Sequence, residues 1–483
     1  MNRLVFLFWS FFLVACTADI PVATEKTDRF PEIFPDYVSV TVPEQIAPLN
    51  FEVTTHQQAC VVFAVDGYQF VVHTGNGDIH IPSAKWKKLL AEAKGKSFQV
   101  SVIVHESGTW KSFKSFPVYV SADSIDPYIA YRLIAPGYQL WNEMGIYQRR
   151  LASYKETPLL ENRLTDNNCM NCHSFCNQDP DKMLFHIRAA HGCTVFIDGG
   201  EISTFDTKTD YTIANLVYPY WHPSGNYIAF SVNNTTQDVD PVHRTEVYDK
   251  ASDVVVYDVG KQEIVTTHSL FSSLNFETFP AFSPDGRSLY FCTAKAVSVP
   301  DEIEALRYSI CRISFDEHNR TFGTSVDTIF NAELEGKSAL FPRISPDGNY
   351  LLFTVTAYGT FPIWHEDADL MMIRLADGKH IPVDDVNSLH TDSYHSWSSN
   401  SRWVVFSSRR IDGLHTRLFI SHVDDEGRLS KPFLLPQRSK AHDAMLMKSY
   451  NIPEFVKGKV NVNSYDLSSA IKKGKNKPVR FVN

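Results

Sequence analysis

"WHPSGNYIAFS" (221–231), "FSPDGRSLYFC" (282–292), "ISPDGNYLLFT" (344–354) and "WSSNSRWVVFS" (397–407) are four copies of one pattern. Each sets an apolar residue before a short polar turn and then a run ending in an aromatic and a small residue. Turn chemistry explains the composition. Pro223, Pro284 and Pro346 fix φ at the second turn position, the Ser or Asp that follows bonds back to the backbone, and the glycine after it takes positive φ. The copies recur roughly every 60 residues, a period that marks a propeller or an array. Ser399 holds the proline position in the fourth copy.

A second strand pair follows each copy: "DVVVYDVGKQEIVTT" (253–267), "ICRISFDEHNRTFG" (310–323), "DLMMIRLADGKHIPV" (369–383) and "RLFISHVDDEGRLSKPFLL" (417–435). Four strands per unit make a propeller blade. The "SPDG" turn and the strand after it resemble the TolB-type (WD40-like, PD40) propeller family over about residues 195–440. That resemblance implies a C-terminal propeller of about five or six blades and is silent on activity. The hairpin-like "CTVFIDGGEISTFDTK" (193–208) and the C-terminal segment are expected to help close the ring. The longest connections, such as "AKAVSVPDEIEALRYS" (294–309) and "AYGTFPIWHEDA" (357–368), join the halves of a blade and fall on one face, the better candidate for binding.

The chain has 483 residues, enough for two to four domains, and its net charge of −9 offers no nucleic-acid footprint. The expected class is mainly β. Residues 1–16, "MNRLVFLFWSFFLVAC", read as an export signal too short to span a membrane. Leu13-Val14-Ala15-Cys16 resembles a lipobox, which implies lipidation of Cys16 and a soluble body anchored to the membrane. Residues 17–48 read as a tether. Residues 49–123 carry short β-branched and aromatic runs plus one helix over "PSAKWKKLLAEAKG" (82–95), capped by Ser83 and Gly95, and are expected to form a small β-sandwich-like domain. Residues 124–192 read as a connector, in which Tyr138, Trp141, Met144 and Tyr147 recur at helical spacing. The propeller is expected over 193–445 and a closing C-terminal segment over 446–483.

Within the connector, "NNCMNCHSF" (167–175) holds Cys169, Cys172 and His173 in the order C-x-x-C-H, the attachment pattern of c-type haem. In that reading two thiols one helical turn apart bond one porphyrin edge and the imidazole is the proximal iron ligand. Candidate sixth ligands, and with His173 candidate metal ligands, are His186, His191 and Met183; Arg188 is a candidate contact for a haem propionate. The alternatives are a structural zinc on Cys169, Cys172, His173 and Cys176, or a redox disulfide between Cys169 and Cys172. Cys292 with Cys311, and Cys176 with Cys193, are further possible disulfides in an exported chain.

As a whole the chain resembles a Bacteroidetes-type exported lipoprotein in which a cytochrome c haem motif is fused to a TolB-like propeller. The resemblance implies one haem c, location at the cell envelope, and electron transfer to a redox partner protein at the membrane surface, with the propeller as docking platform. The competing expectation is an envelope scaffold or binding propeller with a purely structural cysteine segment. A third is small-molecule redox chemistry at an open haem position. No G-x-S-x-G elbow, H-E-x-x-H helix or P-loop is present.

Overall fold

The computed structural model describes residues 20–55, 58–135, 143–238 and 245–482. Cys16, Tyr138 and Trp141 lie outside them. The fold is mainly β, as expected. Six sheets of at least four strands follow one another along the chain from residue 128. Sheet one combines Tyr128–Ile134, Met144–Arg150 and Glu156–Glu161 with Ser449–Val456 from the far end of the chain. Sheet two begins with Met170–Phe175 and continues through Lys182–Ile187, Cys193–Asp198 and Glu201–Asp206. Sheets three to six begin with Leu216–Trp221, Asn275–Phe282, Ser338–Ile344 and Asp392–Trp397. All pairings within these four-strand runs are antiparallel between chain neighbours, apart from the C-terminal strand in sheet one.

Each sheet packs face to face with the next, so its middle strands are apolar on both sides. Val254, Val255, Val256 and Tyr257 are all buried for this reason, and the run reads as continuous rather than alternating hydrophobicity. The "SPDG" copies form the turn between first and second strands. Gly225, Gly286 and Gly348 adopt positive φ there, and Ser401 does so in the fourth copy. In the "SPDG" copies the Asp carboxylate accepts from the serine hydroxyl and from a backbone N–H two residues on, closing the turn: Ser283 Oγ to Asp285 at 2.6 Å and Ser345 Oγ to Asp347 at 2.5 Å.

Residues 124–192 are therefore strands of sheets one and two rather than a connector. Their blade character is hidden because sheet one receives its first strand from residues 449–456 and has no first turn to carry the motif. Sheet two joins its first two strands by "CNQDPD" (176–181) instead of "SPDG". Met144 and Tyr147, expected on a helix, belong to a strand. Lys477–Pro478 and Arg480–Phe481 add parallel edge strands to sheets two and three, so the hairpin 193–206 does pair with the C-terminal segment.

The N-terminal residues form a seven-stranded sheet, a three-stranded sheet and one helix, Ser83–Ala93. Pro82 rather than Ser83 sits at the helix N-cap, without a side-chain cap bond. Residues 20–48 are part of this unit rather than a tether: Tyr37, Val40 and Val42 are buried in its core. That core runs without a break into sheets six and one through Trp403, Val405, Ile420 and Tyr131. Polar bonds reinforce the junction. Trp403 Nε1 donates to the Ser124 carbonyl at 2.9 Å, and Asp126 accepts from Ser399 N and Oγ, both at 2.6 Å.

Every described cysteine is a free thiol. Cys292 and Cys311 do lie on neighbouring strands. Cys311 sits opposite Phe291, however, so the two side chains point to opposite faces and enter different cores. Cys176 and Cys193 are likewise divided between two cores.

Candidate functional site: the central channel

The first strands of the six sheets contact one another in a closed cycle, each touching the next and Ser449–Val456 touching Met170–Phe175. Each carries the same irregularity. Two of its residues oppose one on the neighbouring strand, and the first of the two has positive φ: Cys172, Tyr218, Phe279, Phe341, Tyr394 and Ile452. The second is Pro219, Pro280, Pro342 or Pro453 in four strands and His173 or His395 in the other two. A bulged position leaves the ladder, so a proline there forfeits no hydrogen bond. The sequence signature is CHSF, YPYW, FPAF, FPRI, YHSW and IPEF. Cys172-His173 is thus the sheet-two copy of a structural repeat.

The bulges aim their first residues at the axis. Neighbouring aromatic rings pack in succession: Tyr218 to Phe279 at 4.8 Å between centroids, Phe279 to Phe341 at 4.0 Å, and Phe341 to Tyr394 at 5.1 Å. A cavity of about 240 Å³ lies along the axis, lined by residues of all six first strands. Its polar wall is Tyr220, Arg343, Ser396, Glu454 and His173. The Arg343 guanidinium lies 5.1 Å from the Tyr220 ring centroid and donates to the Pro342 carbonyl at 2.9 Å. Glu454 accepts from Phe175 N–H at 3.2 Å, and burial pushes its carboxyl up to about 8 despite that bond and Arg343 nearby. His173 is 2% exposed, its Nε2 is 3.8 Å from Glu454 Oε1, and neither ring nitrogen makes a hydrogen bond of ordinary geometry, though the Ile452 backbone lies close enough to act on the ring. Burial, helped by Arg132, holds its imidazole down to about 3, so the ring is neutral. His395, in the matching place, bonds the Leu352 carbonyl at 2.9 Å through Nε2.

The other residues expected at a haem site are dispersed. Cys169 precedes the strand, half-buried, with its carbonyl accepting from Arg188 N–H at 2.9 Å. His186 is buried beside Thr194, 3.4 Å from its hydroxyl, and burial lowers it to about 3. His191 pairs with Asp166 at 2.8 Å on the outer side, where Lys472 also reaches Asp166. Met183 belongs to the apolar core between sheets one and two. None of these lines the cavity. Among the described residues no three His, Cys, Asp or Glu side chains come together as a metal site.

The C-x-x-C-H stretch is not helical here: Cys169 precedes the strand Met170–Phe175, and Cys172 sits at its bulge with positive φ. Tyr220, Arg343 and Glu454 escaped sequence reading because their strands show no charged cluster. The signal that locates them is the aromatic-proline-x-aromatic repeat, once extended back to Cys172 and forward to Phe455.

No protein-family model and no curated protein matches the chain. Among solved structures, it is similar to an oligogalacturonate lyase from Vibrio parahaemolyticus (11% identity, TM-score 0.35, covering 60% of this chain and 70% of that one). It is also similar to apo prolyl oligopeptidase B from Galerina marginata (11%, TM-score 0.35, 62% and 43%) and to dipeptidyl peptidase 4 from Porphyromonas gingivalis (10%, TM-score 0.32, 70% and 51%).

Proposed function

We propose that the chain is a ligand-binding propeller of the TolB-like type, with six blades closed by the strand Ser449–Val456, whose channel takes a small molecule bearing an acidic group. The observation that carries this is the convergence of His173, with both buried ring nitrogens unpartnered, on Glu454, Arg343 and Tyr220 within one cavity. Buried polar groups without partners are costly, about 1–3 kcal/mol each, and a bound ligand relieves that cost. With Glu454 protonated near neutral pH, the cavity carries the net positive charge of Arg343, which favours a carboxylate. Glu454, as an acid, then serves as a hydrogen-bond donor beside it. Export and lipidation at Cys16, with residence at the cell envelope, belong to the same proposal on the strength of the leader sequence.

The test is thermal unfolding against small sugar acids, dicarboxylic acids and amino acids. At least one class should raise the transition by an amount equivalent to about 2.7 kcal/mol at a hundred times its Kd, and R343Q should abolish the shift. Absence of any shift, or equal shifts in R343Q, rejects the reading. Electron transfer by one haem c with a redox partner is the second reading, favoured by the C-x-x-C-H order and the unpartnered imidazole. Intact mass of protein matured in its native envelope decides it: one added haem mass with a Soret band would replace the channel-ligand proposal.

A further inference from the structure

A second group of polar side chains lies outside the cavity wall, around the stretch 168–171 at the start of sheet two. Arg132, from the second strand that sheet one contributes ahead of it, sends Nη1 to the Met170 carbonyl at 3.4 Å. Arg188, just beyond the second strand of sheet two, donates its backbone N–H to the Cys169 carbonyl, and its Nε and Nη2 each lie 3.2 Å from the Asn171 amide oxygen once that amide is turned so that its oxygen faces the guanidinium. Neither guanidinium makes an ion pair within the described residues, and Arg132 Nε has no hydrogen-bond partner. Asn168 is 6% exposed, and its Nδ2 is also unpartnered. None of Arg132, Asn168 or Arg188 lines the axial cavity.

Every unsatisfied group here is a donor. The acid that acts on Arg188 is Asp249 of sheet three, which is already engaged by Asn233 and by Thr235 Oγ1, both at 2.6 Å. Burial pushes Asp249 up to about 6, which weakens it further as a counter-charge. Arg132 and Arg188 are half-buried, and neither guanidinium is neutralised by an ion pair among the described residues; planar guanidinium forks match oxyanions in two-point contacts. Half-buried Cys169 leaves this stretch open to solvent.

We propose that Arg132, Arg188 and Asn168 form an oxyanion-binding site, for a carboxylate or phosphate group, separate from the axial cavity. The experiment follows the unfolding transition of the whole protein against inorganic phosphate and, separately, acetate, with ionic strength held constant by potassium chloride. A rise that saturates with phosphate, with acetate or with both supports the site; which anion acts tells a phosphoryl from a carboxylate ligand. R188M should weaken the response at least tenfold. D249N should tighten binding by removing the opposing carboxylate. R132K, which keeps the charge and loses the fork, should fold normally and respond more weakly, so the test stands even if larger changes impair folding. Responses no greater than those to chloride overturn the proposal. So does an unchanged anion response in R188M and R132K.

Discussion

Glu454 offers a quantitative check on the channel. Its carboxyl is raised from 4.5 to about 8, and that of Glu277, buried between sheets three and four beside Asp253, is raised likewise to about 8. Between pH 6.5 and 8 both groups stay protonated in the folded protein and are ionised in the unfolded chain. The folded state therefore binds more protons, and stability falls as pH rises. Histidines held low by burial are neutral in the folded protein but half protonated at pH 6.5 in the unfolded chain, so each adds a smaller opposing rise of about 0.4 kcal/mol across this window. At 1.36 kcal/mol per pH unit per group, each carboxyl removes about 2 kcal/mol across the window, about 4 kcal/mol together. Gln at 454 retains an oxygen for the Phe175 N–H and carries no titrating proton. The E454Q and E277Q variants should therefore each lose about 2 kcal/mol of the fall between pH 6.5 and 8, and the double variant about 4 kcal/mol. The assay is urea unfolding at pH 6.5, 7.2 and 8 with m-values compared at each pH. A full wild-type slope in E454Q would refute the placement of this side chain in a desolvated channel.

The buried histidines act in the opposite sense. His173, His186 and His395 are each held at about 3, so below pH 6.5 the unfolded chain takes up protons that the folded one excludes, and each histidine costs stability as pH drops, against the continuing gain from Glu454 and Glu277; H186Q should be more stable relative to wild type at pH 5 than at pH 7.5 by the same unfolding assay. Arg149, 1% exposed, donates to Gln437 Oε1 at 3.0 Å, to the Ser153 carbonyl at 2.6 Å and to the Pro436 carbonyl, binding sheet one to the end of sheet six. R149M strands these acceptors and should lower stability by about 1–3 kcal/mol for each that is left unsatisfied, read from the urea midpoint. Titration of thiols in denaturant without reductant should find Cys60, Cys169, Cys172, Cys176, Cys193, Cys292 and Cys311 all reactive; a shortfall of two would reveal a disulfide.

The series of four-stranded sheets was readable in the sequence where turn chemistry writes it. Pro, Asp and Gly at 284–286 and 346–348 are required by a tight turn at a fixed place in each sheet, so those copies resemble one another. Sheets one and two were illegible for topological reasons. Sheet one completes itself with a strand more than 300 residues away in sequence, and no local pattern records such a pairing. Residues 20–48 read as a tether because their strands are two residues long, below the length at which alternation becomes visible, yet Tyr37 and Val42 are as buried as any core residue. Of the candidate site, His173 was found and its partners were not: Arg343 and Glu454 come from sheets five and one, and only the closed cycle of first strands brings them to one axis.

The segment that sequence reading weighted most shows how a short motif and a repeat can compete for the same residues. C-x-x-C-H is uncommon by chance, but at 169–173 it overlaps a position that the fold constrains independently. Six strands must each supply a residue with positive φ and then one that forgoes a ladder bond. Proline meets the second demand by having no N–H; histidine at 173 and 395 meets it differently and adds a polar ring. His395 uses that ring to bond Leu352, a structural role. His173 does not, although it occupies the same place in its blade and is equally buried. The difference between two equivalent positions in one molecule is more informative than the motif: the fold accounts for the presence of both imidazoles, and only at 173 does it leave both ring nitrogens free beside Glu454. A histidine retained there without a structural bond is the feature a channel ligand would explain. The H173P variant separates the roles, since the bulge should accept proline with little loss of stability while ligand response disappears. Loss of folding in H173P would mean that the imidazole is structural after all.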